Sequence, residues 1–221
     1  MKKKLLAAAI TLGMGIGSAQ AVLIDNFDDG TPMGVINTGS VGPQTPAAPG
    51  QAIGDRSISL TVTQGTPTQF TNASAVVDQG NYSHSNGSGI ASTSVVSWSV
   101  SGADLLAGIV PGTGAFLLNI ISIDPNNVDL KFTVNGADVA KSGLTAGTQT
   151  IPFSDFGGVD FGNVNELKLT VIADTNADLT LDLFETTGQQ QTPTPAPEPG
   201  ILFLMGAGLI GMFGARRRRS A

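Results

Sequence analysis

The chain contains no cysteine. Disulfide staples, a thiol nucleophile and thiolate metal sites are therefore excluded, and burial, alone or with a bound ion, has to hold the fold together. It has one histidine, His84, one tryptophan, Trp98, and one tyrosine, Tyr82. No nucleophile elbow, phosphate-binding loop or metal-protease helix occurs, so the chain reads as non-catalytic. A hydrolase would need paired carboxylates in a cleft, and so many aspartates make chance pairs inevitable. Basic residues are also scarce. Between Val22 and Gln191 only Arg56, Lys131, Lys141 and Lys168 are basic, against sixteen of the 17 acids, a net charge of −12 for that stretch. Such a body repels phosphate backbones and excludes a nucleic-acid-binding role. Between Val22 and Glu185 no amphipathic helical pattern is found.

The two ends differ in kind from the body. "MKKKLLAAAITLGMGIGSAQA" has a basic start (Lys2 to Lys4), a short apolar core (Leu5 to Ile16) and small residues at Ala19 and Ala21. This is the layout of a secretory signal peptide over 1–21, cut by signal peptidase after Ala21. Its core is too short to span a membrane comfortably.

The other end reads "PAPEPGILFLMGAGLIGMFGARRRRSA". Gly200 to Ala215 is apolar and free of charge. As a helix it would reach roughly 24 Å, a little short of a bilayer core of about 30 Å. Pro199 suits a helix start. Arg216, Arg217, Arg218 and Arg219 would stop transfer and remain on the cytoplasmic side. Gly206, Gly208 and Gly211 spell G-x-G-x-x-G, but a dinucleotide site needs a strand before it and a βαβ unit around it, so that reading is discarded. An unprocessed tail anchor is the plain alternative.

Pro197-Glu198-Pro199, the short glycine-rich apolar segment and the arginine cluster together resemble the PEP-CTERM sorting signal. The resemblance covers 197–221 and implies a Gram-negative bacterium that makes extracellular polysaccharide. It also implies a precursor anchored in the inner membrane by one transmembrane sorting helix (200–215). A membrane-embedded exosortase would cleave near Pro197-Glu198-Pro199 and deliver the rest to the cell surface or the extracellular matrix.

Residues 187–196, rich in Thr, Gln and Pro, form a linker that cannot bury enough apolar surface to fold. Residues 22–186 read as strands. "LTLDLF" puts Leu179, Leu181 and Leu183 on one face, and "ELKLTVIA", "SISLTVT" and "VDLKFTVNG" alternate in the same way. Asn135-Gly136 is a strong hairpin dipeptide. "AFLLNIISI" suits a central strand. Gly30 to Gly54, rich in Gly and Pro, reads as a long loop. The expected fold is all-β, an antiparallel β-sandwich of jelly-roll type.

The opening "VLIDNFDDG", the closing "LTLDLFE" and "IPFSDFGGVDFGNVNELKLTV" resemble strands of carbohydrate-binding-type jelly rolls. That resemblance implies first and last strands paired near a structural calcium, with Asp25 and Asp182 as the ligands to test. Asp25, Asp28 and Asp29 cluster as calcium ligands do, yet no complete ligand loop is present and a solvated acidic loop is the simpler reading. Aromatic side chains would supply a sugar platform. Tyr82, in the polar stretch "GNYSHSNGSG", and Trp98, which alternates with Val96 and Val100, are the candidates, with a surface loop and a core position as their simpler readings. The leading expectation is an exported, non-catalytic surface or matrix protein associated with polysaccharide. The alternative is a carbohydrate-binding module at the cell surface.

Overall fold

Thirteen strands and one short 3-10 turn account for the regular structure of residues 21–28, 32–44, 52–124 and 127–189, the residues that this computed structural model describes. In chain order they are β1 (Leu23–Asp25), β2 (Met33–Ile36), β3 (Gly39–Gln44), β4 (Arg56–Gln64), β5 (Ala73–Asp78), β6 (Asn81–Asn86) and β7 (Ala91–Trp98). Then follow β8 (Ala115–Ile123), β9 (Val128–Val134), β10 (Ala137–Lys141), β11 (Gly147–Pro152), the 3-10 turn Phe153–Phe156, β12 (Leu167–Ala173) and β13 (Asp178–Thr187). Every pairing is antiparallel. One sheet has the order β11-β8-β13-β6-β5-β2, with β1 added beside β13; the other runs β10-β9-β12-β7-β4-β3.

The alternation in the sequence is what makes two sheets face each other. Val128, Leu130, Phe132 and Val134 of β9 and Leu167, Leu169 and Val171 of β12 are buried, and their neighbours along each strand, Thr170 apart, are more exposed. Phe116, Phe132 and Phe184 meet at the centre with ring centroids 5.2–6.2 Å apart. Each such ring contributes roughly 2–3 kcal/mol through burial. The Asn135-Gly136 hairpin forms as its dipeptide predicts. Val134 faces Ala137, and both turn residues take positive φ, 47° and 80°. The continuously apolar β8 lies inside its sheet, between β11 and β13.

Four local expectations need correction. Gly30 to Gly54 is not one long loop: it contains β2 and β3, one outer strand of each sheet. Edge strands tolerate Gly and Pro because one side of the backbone needs no partner, so Pro43 in β3 hides the strand from a composition reading. The "NYSHSN" stretch is not a surface loop: it is β6, in the sheet interior, with Tyr82, His84 and Asn86 turned inward. Leu183 does not continue the buried row of Leu179 and Leu181. Register shifts around Leu181–Leu183 break the alternation, and Phe184 and Thr186 take the inward positions instead. Strand β13 also runs to Thr187, one residue past the expected domain limit.

Candidate functional site

Along one edge, β13 is shared between two partners. Asp178 to Leu181 pair with β6, whereas Phe184 and Glu185 pair with β1. Between those pairings the irregularity carries Asp182, and there the sheet opens. A cleft of about 730 Å³ is lined by Asn26, Asp28, Asp78, Gln79, Gly80, Asn119, Asp182 and Leu183. Asn119 Nδ2 donates to Asp182 Oδ1 at 2.7 Å and fixes that carboxylate on the cleft floor. The walls come from the residues just after β1 and from the β5–β6 turn. Beside Gly80 and Leu183, the side chains of the lining are carboxylates and primary amides, groups suited to hydroxyls or hydrated cations.

Asp25 does not join Asp182 there. Its side chain is fully buried between the sheets. Oδ1 accepts from Phe27 N at 2.7 Å, and Oδ2 accepts from Arg56 Nη1 at 2.6 Å and from Trp98 Nε1 at 2.7 Å. Arg56 is likewise fully buried, and its guanidinium carbon sits 5.6 Å from the Phe27 ring centroid. The carboxylate is balanced by an arginine inside the protein, and Asp25 is not among the residues that line the cleft at Asp182. Among the described residues, no group of three His, Cys, Asp or Glu could hold a metal ion. Sequence reading placed Asp25 at the right strand pair, since β1 does pair with β13, but gave no sign that Arg56 would reach it from the other sheet.

Trp98 is 3% exposed and Tyr82 0%. Neither can stack on a ligand at the surface, so the aromatic platform proposed for them is corrected. Trp98 packs on Phe184 at 5.4 Å and braces Asp25. Tyr82 starts a buried polar chain that crosses from β6 to β7, that is, from one sheet to the other. Asn86 Nδ2 donates to the carbonyls of Ala173 and Asp174, both at 3.0 Å, which fixes its Oδ1 as acceptor. Ser92 Oγ donates to that oxygen at 2.5 Å and so accepts from His84 Nε2 at 2.9 Å. His84 Nδ1 then accepts from Ser94 Oγ at 2.7 Å, and Ser94 accepts from the Tyr82 hydroxyl at 2.5 Å. Every proton has one direction, and the imidazole is neutral with its proton on Nε2. Burial holds the His84 pKa down at about 4, opposed by its Asn86 contact and by the charge of Asp178. Burial likewise pushes the Tyr82 hydroxyl up. The sequence does carry this signal, as inward alternation of polar rather than apolar residues, which a hydrophobic template does not detect.

The expected processing residues lie elsewhere. Ala21 is exposed at the start of the described chain, and Ala19 falls outside the described residues. So do Pro197, Glu198, Pro199, the 200–215 segment and Arg216 to Arg219. Among the described residues no helix is long and apolar enough to cross a membrane. The last described residues are tied down: Gln189 N donates to Thr113 Oγ1, and Val110 N donates to Gln189 O. Val22, next to the expected signal-peptidase cut, is paired with Thr186 through two hydrogen bonds of 2.9 and 3.0 Å.

Comparison with known proteins bears on the tail and the body separately. The model of the PEP-CTERM protein-sorting motif matches residues 195–219, so the chain carries that motif. No curated protein is similar enough to the chain to count as a relative. Among solved structures, the family 11 carbohydrate-binding module of a cellulosomal cellulase of Clostridium thermocellum is 13% identical with a TM-score of 0.36, covering 80% of this chain and 99% of that one. The family 11 module from the same organism, in complex with a β-1,3-1,4-mixed-linked tetrasaccharide, gives 13% identity and a TM-score of 0.35 over 78% and 98%. A family two carbohydrate esterase from Cellvibrio japonicus gives 16% and 0.27, over 74% of this chain and 37% of that one.

Proposed function

We propose that this chain is an exported cargo protein whose sorting motif is read and cut at the membrane by an exosortase, leaving the β-sandwich at the cell surface or in the extracellular matrix without a catalytic role. The motif at 195–219 carries this reading. The sandwich is hydrogen-bonded up to Gln189, so the motif begins only a few residues beyond the folded edge. The short apolar segment and the four arginines set depth and orientation. Signal peptidase would act first, at Ala21. A Gram-negative cell that exports polysaccharide is the setting the motif supports. The sole histidine has both ring nitrogens engaged inside the protein, which supports a non-catalytic body.

Replacing Pro197, Glu198 and Pro199 together by alanine tests this. The expected outcome is at least a tenfold rise in membrane-bound precursor that keeps its arginines, with the sandwich folded as before. Processing at the wild-type rate would contradict the assignment.

A second reading, a carbohydrate-binding module, is supported by the lining of the cleft at Asp182. Carboxylate and amide pairs such as Asp182 with Asn119 bridge the neighbouring hydroxyls of a sugar ring. Exported polysaccharide would be its ligand.

A further inference from the structure

Phe70, in the β4–β5 connection, is 92% exposed. Every other aromatic side chain among the described residues is at most 5% exposed. The fold hides its rings thoroughly, so this exception needs a physical reason.

The connection around it is built rather than loose. Thr68 Oγ1 accepts from Phe70 N at 3.2 Å and from Thr71 N at 3.1 Å, and it lies 2.8 Å from Thr71 Oγ1. Thr68 N donates back to Thr71 O at 2.7 Å. Four hydrogen bonds thus close the turn that presents the ring. Its base is clamped to the β6–β7 turn. Gly87 N donates to Asn72 O at 2.7 Å, and a Cβ on Gly87 would meet Asn72 N and O at 3.0 Å. At Gly65, with φ +86°, a Cβ would lie 2.3 Å from Gly89 O. Glycine permits both close approaches. A turn held in this way loses little backbone freedom when something docks on the ring it presents.

The surroundings specify what docks. No charged side chain occurs from Ser57 to Val77. Around Phe70, Thr66, Thr68, Gln69 and Asn72 are exposed hydroxyls and amides. The strand ends at that end of the sandwich add Asp174 and Asp178, both exposed. Acids repel anionic sugars and phospholipid headgroups, and the stretch offers no cation to hold them. What fits is an uncharged ligand with one apolar face and a rim of hydroxyls, which describes a pyranose ring. Its axial C–H groups carry slight positive charge and lie against the negative face of a phenyl ring.

We propose that the Phe70 turn is a stacking contact for a neutral polysaccharide, separate from the cleft at Asp182, which lies toward the opposite end of β5. The inference rests on the carbohydrate-binding reading and adds the side chain that makes the contact. Its test is retention of the mature exported protein on amorphous cellulose, amylose and the neutral polysaccharide fraction of the producing cells. Anionic phospholipid vesicles serve as the competing surface. Phe70→Ala and Phe70→Leu should each weaken retention on a neutral glycan at least tenfold, whereas Phe70→Trp keeps or strengthens it. All three should melt within about 2 °C of wild type, because the ring is almost wholly in water. Retention lost with Asp182→Asn but kept with Phe70→Ala would leave carbohydrate binding standing and overturn the Phe70 assignment. Absence of retention on all three glycans would overturn both. Full retention by Phe70→Leu, or partition of wild type into the vesicles, would show a generic apolar contact and overturn the stacking assignment.

Discussion

Replacing Arg56 by methionine is expected to cost about 3–5 kcal/mol, the range for removing one partner of a buried ion pair. For a domain of this size that is a drop of roughly 6–20 °C in melting temperature. Arg56 and Asp25 are both fully buried, 2.6 Å apart, and they come from different sheets. Asp25 also accepts from Trp98 Nε1, which stands beside Arg56 in the β4–β7 register. One carboxylate therefore ties the first strand to two neighbouring strands of the facing sheet. Asp25→Ala is expected to do at least as much damage, because it removes the carboxylate to which Arg56, Trp98 and the Phe27 backbone all donate. The double change Asp25→Leu with Arg56→Met should recover part of the loss, since an apolar pair avoids the desolvation penalty. Urea unfolding of the four proteins checks this through the midpoint at constant slope. A loss below about 1 kcal/mol for Arg56→Met would show that the pair is not what holds the sheets together.

The second large effect is on acid stability. The unfolded chain takes up a proton on histidine near pH 6.5, but folded His84 does so only near pH 4. Its stabilising contribution is complete above pH 6.5 and is lost as the pH falls between those values, by roughly 3 kcal/mol in all. The hydrogen-bond chain explains why. A second ring proton on Nδ1 would face Ser94, whose own proton already points at that nitrogen and whose oxygen already accepts from Tyr82. Asp178 is the carboxylate that acts on the ring, and it only moderates the shift. His84→Gln should be less stable than wild type at pH 7 and should lose less between pH 6.5 and 4.5. Parallel pH profiles for the two proteins would contradict this assignment of the proton chain.

The fold was largely legible because alternation is a strong signal where one face is apolar. β4, β9 and β12 could be read residue by residue, and Asn135-Gly136 marked its turn. It failed where another constraint replaced hydrophobicity. In β6 the inward row is Tyr82, His84 and Asn86, held by hydrogen bonds across the sandwich. In β3 a proline and glycines occupy an edge that needs no second partner. In β13 the irregularity at Asp182 exchanges Leu183 for Phe184, and no residue pattern announces it. The site was less legible than the fold. Asp25, Trp98 and Tyr82 each stand out in composition, but their partners come from strands distant in sequence. Phe70 went unmarked because a single phenylalanine in a Thr-rich segment looks like any other until its exposure is known.

The central claim concerns the tail, and the intact mass of the protein isolated from its own cells tests it most directly. The account requires a mature chain that begins at Val22 and ends near Pro197-Glu198-Pro199, found outside the inner membrane. A chain that still carries Arg216 to Arg219 and sediments with the inner membrane would contradict it.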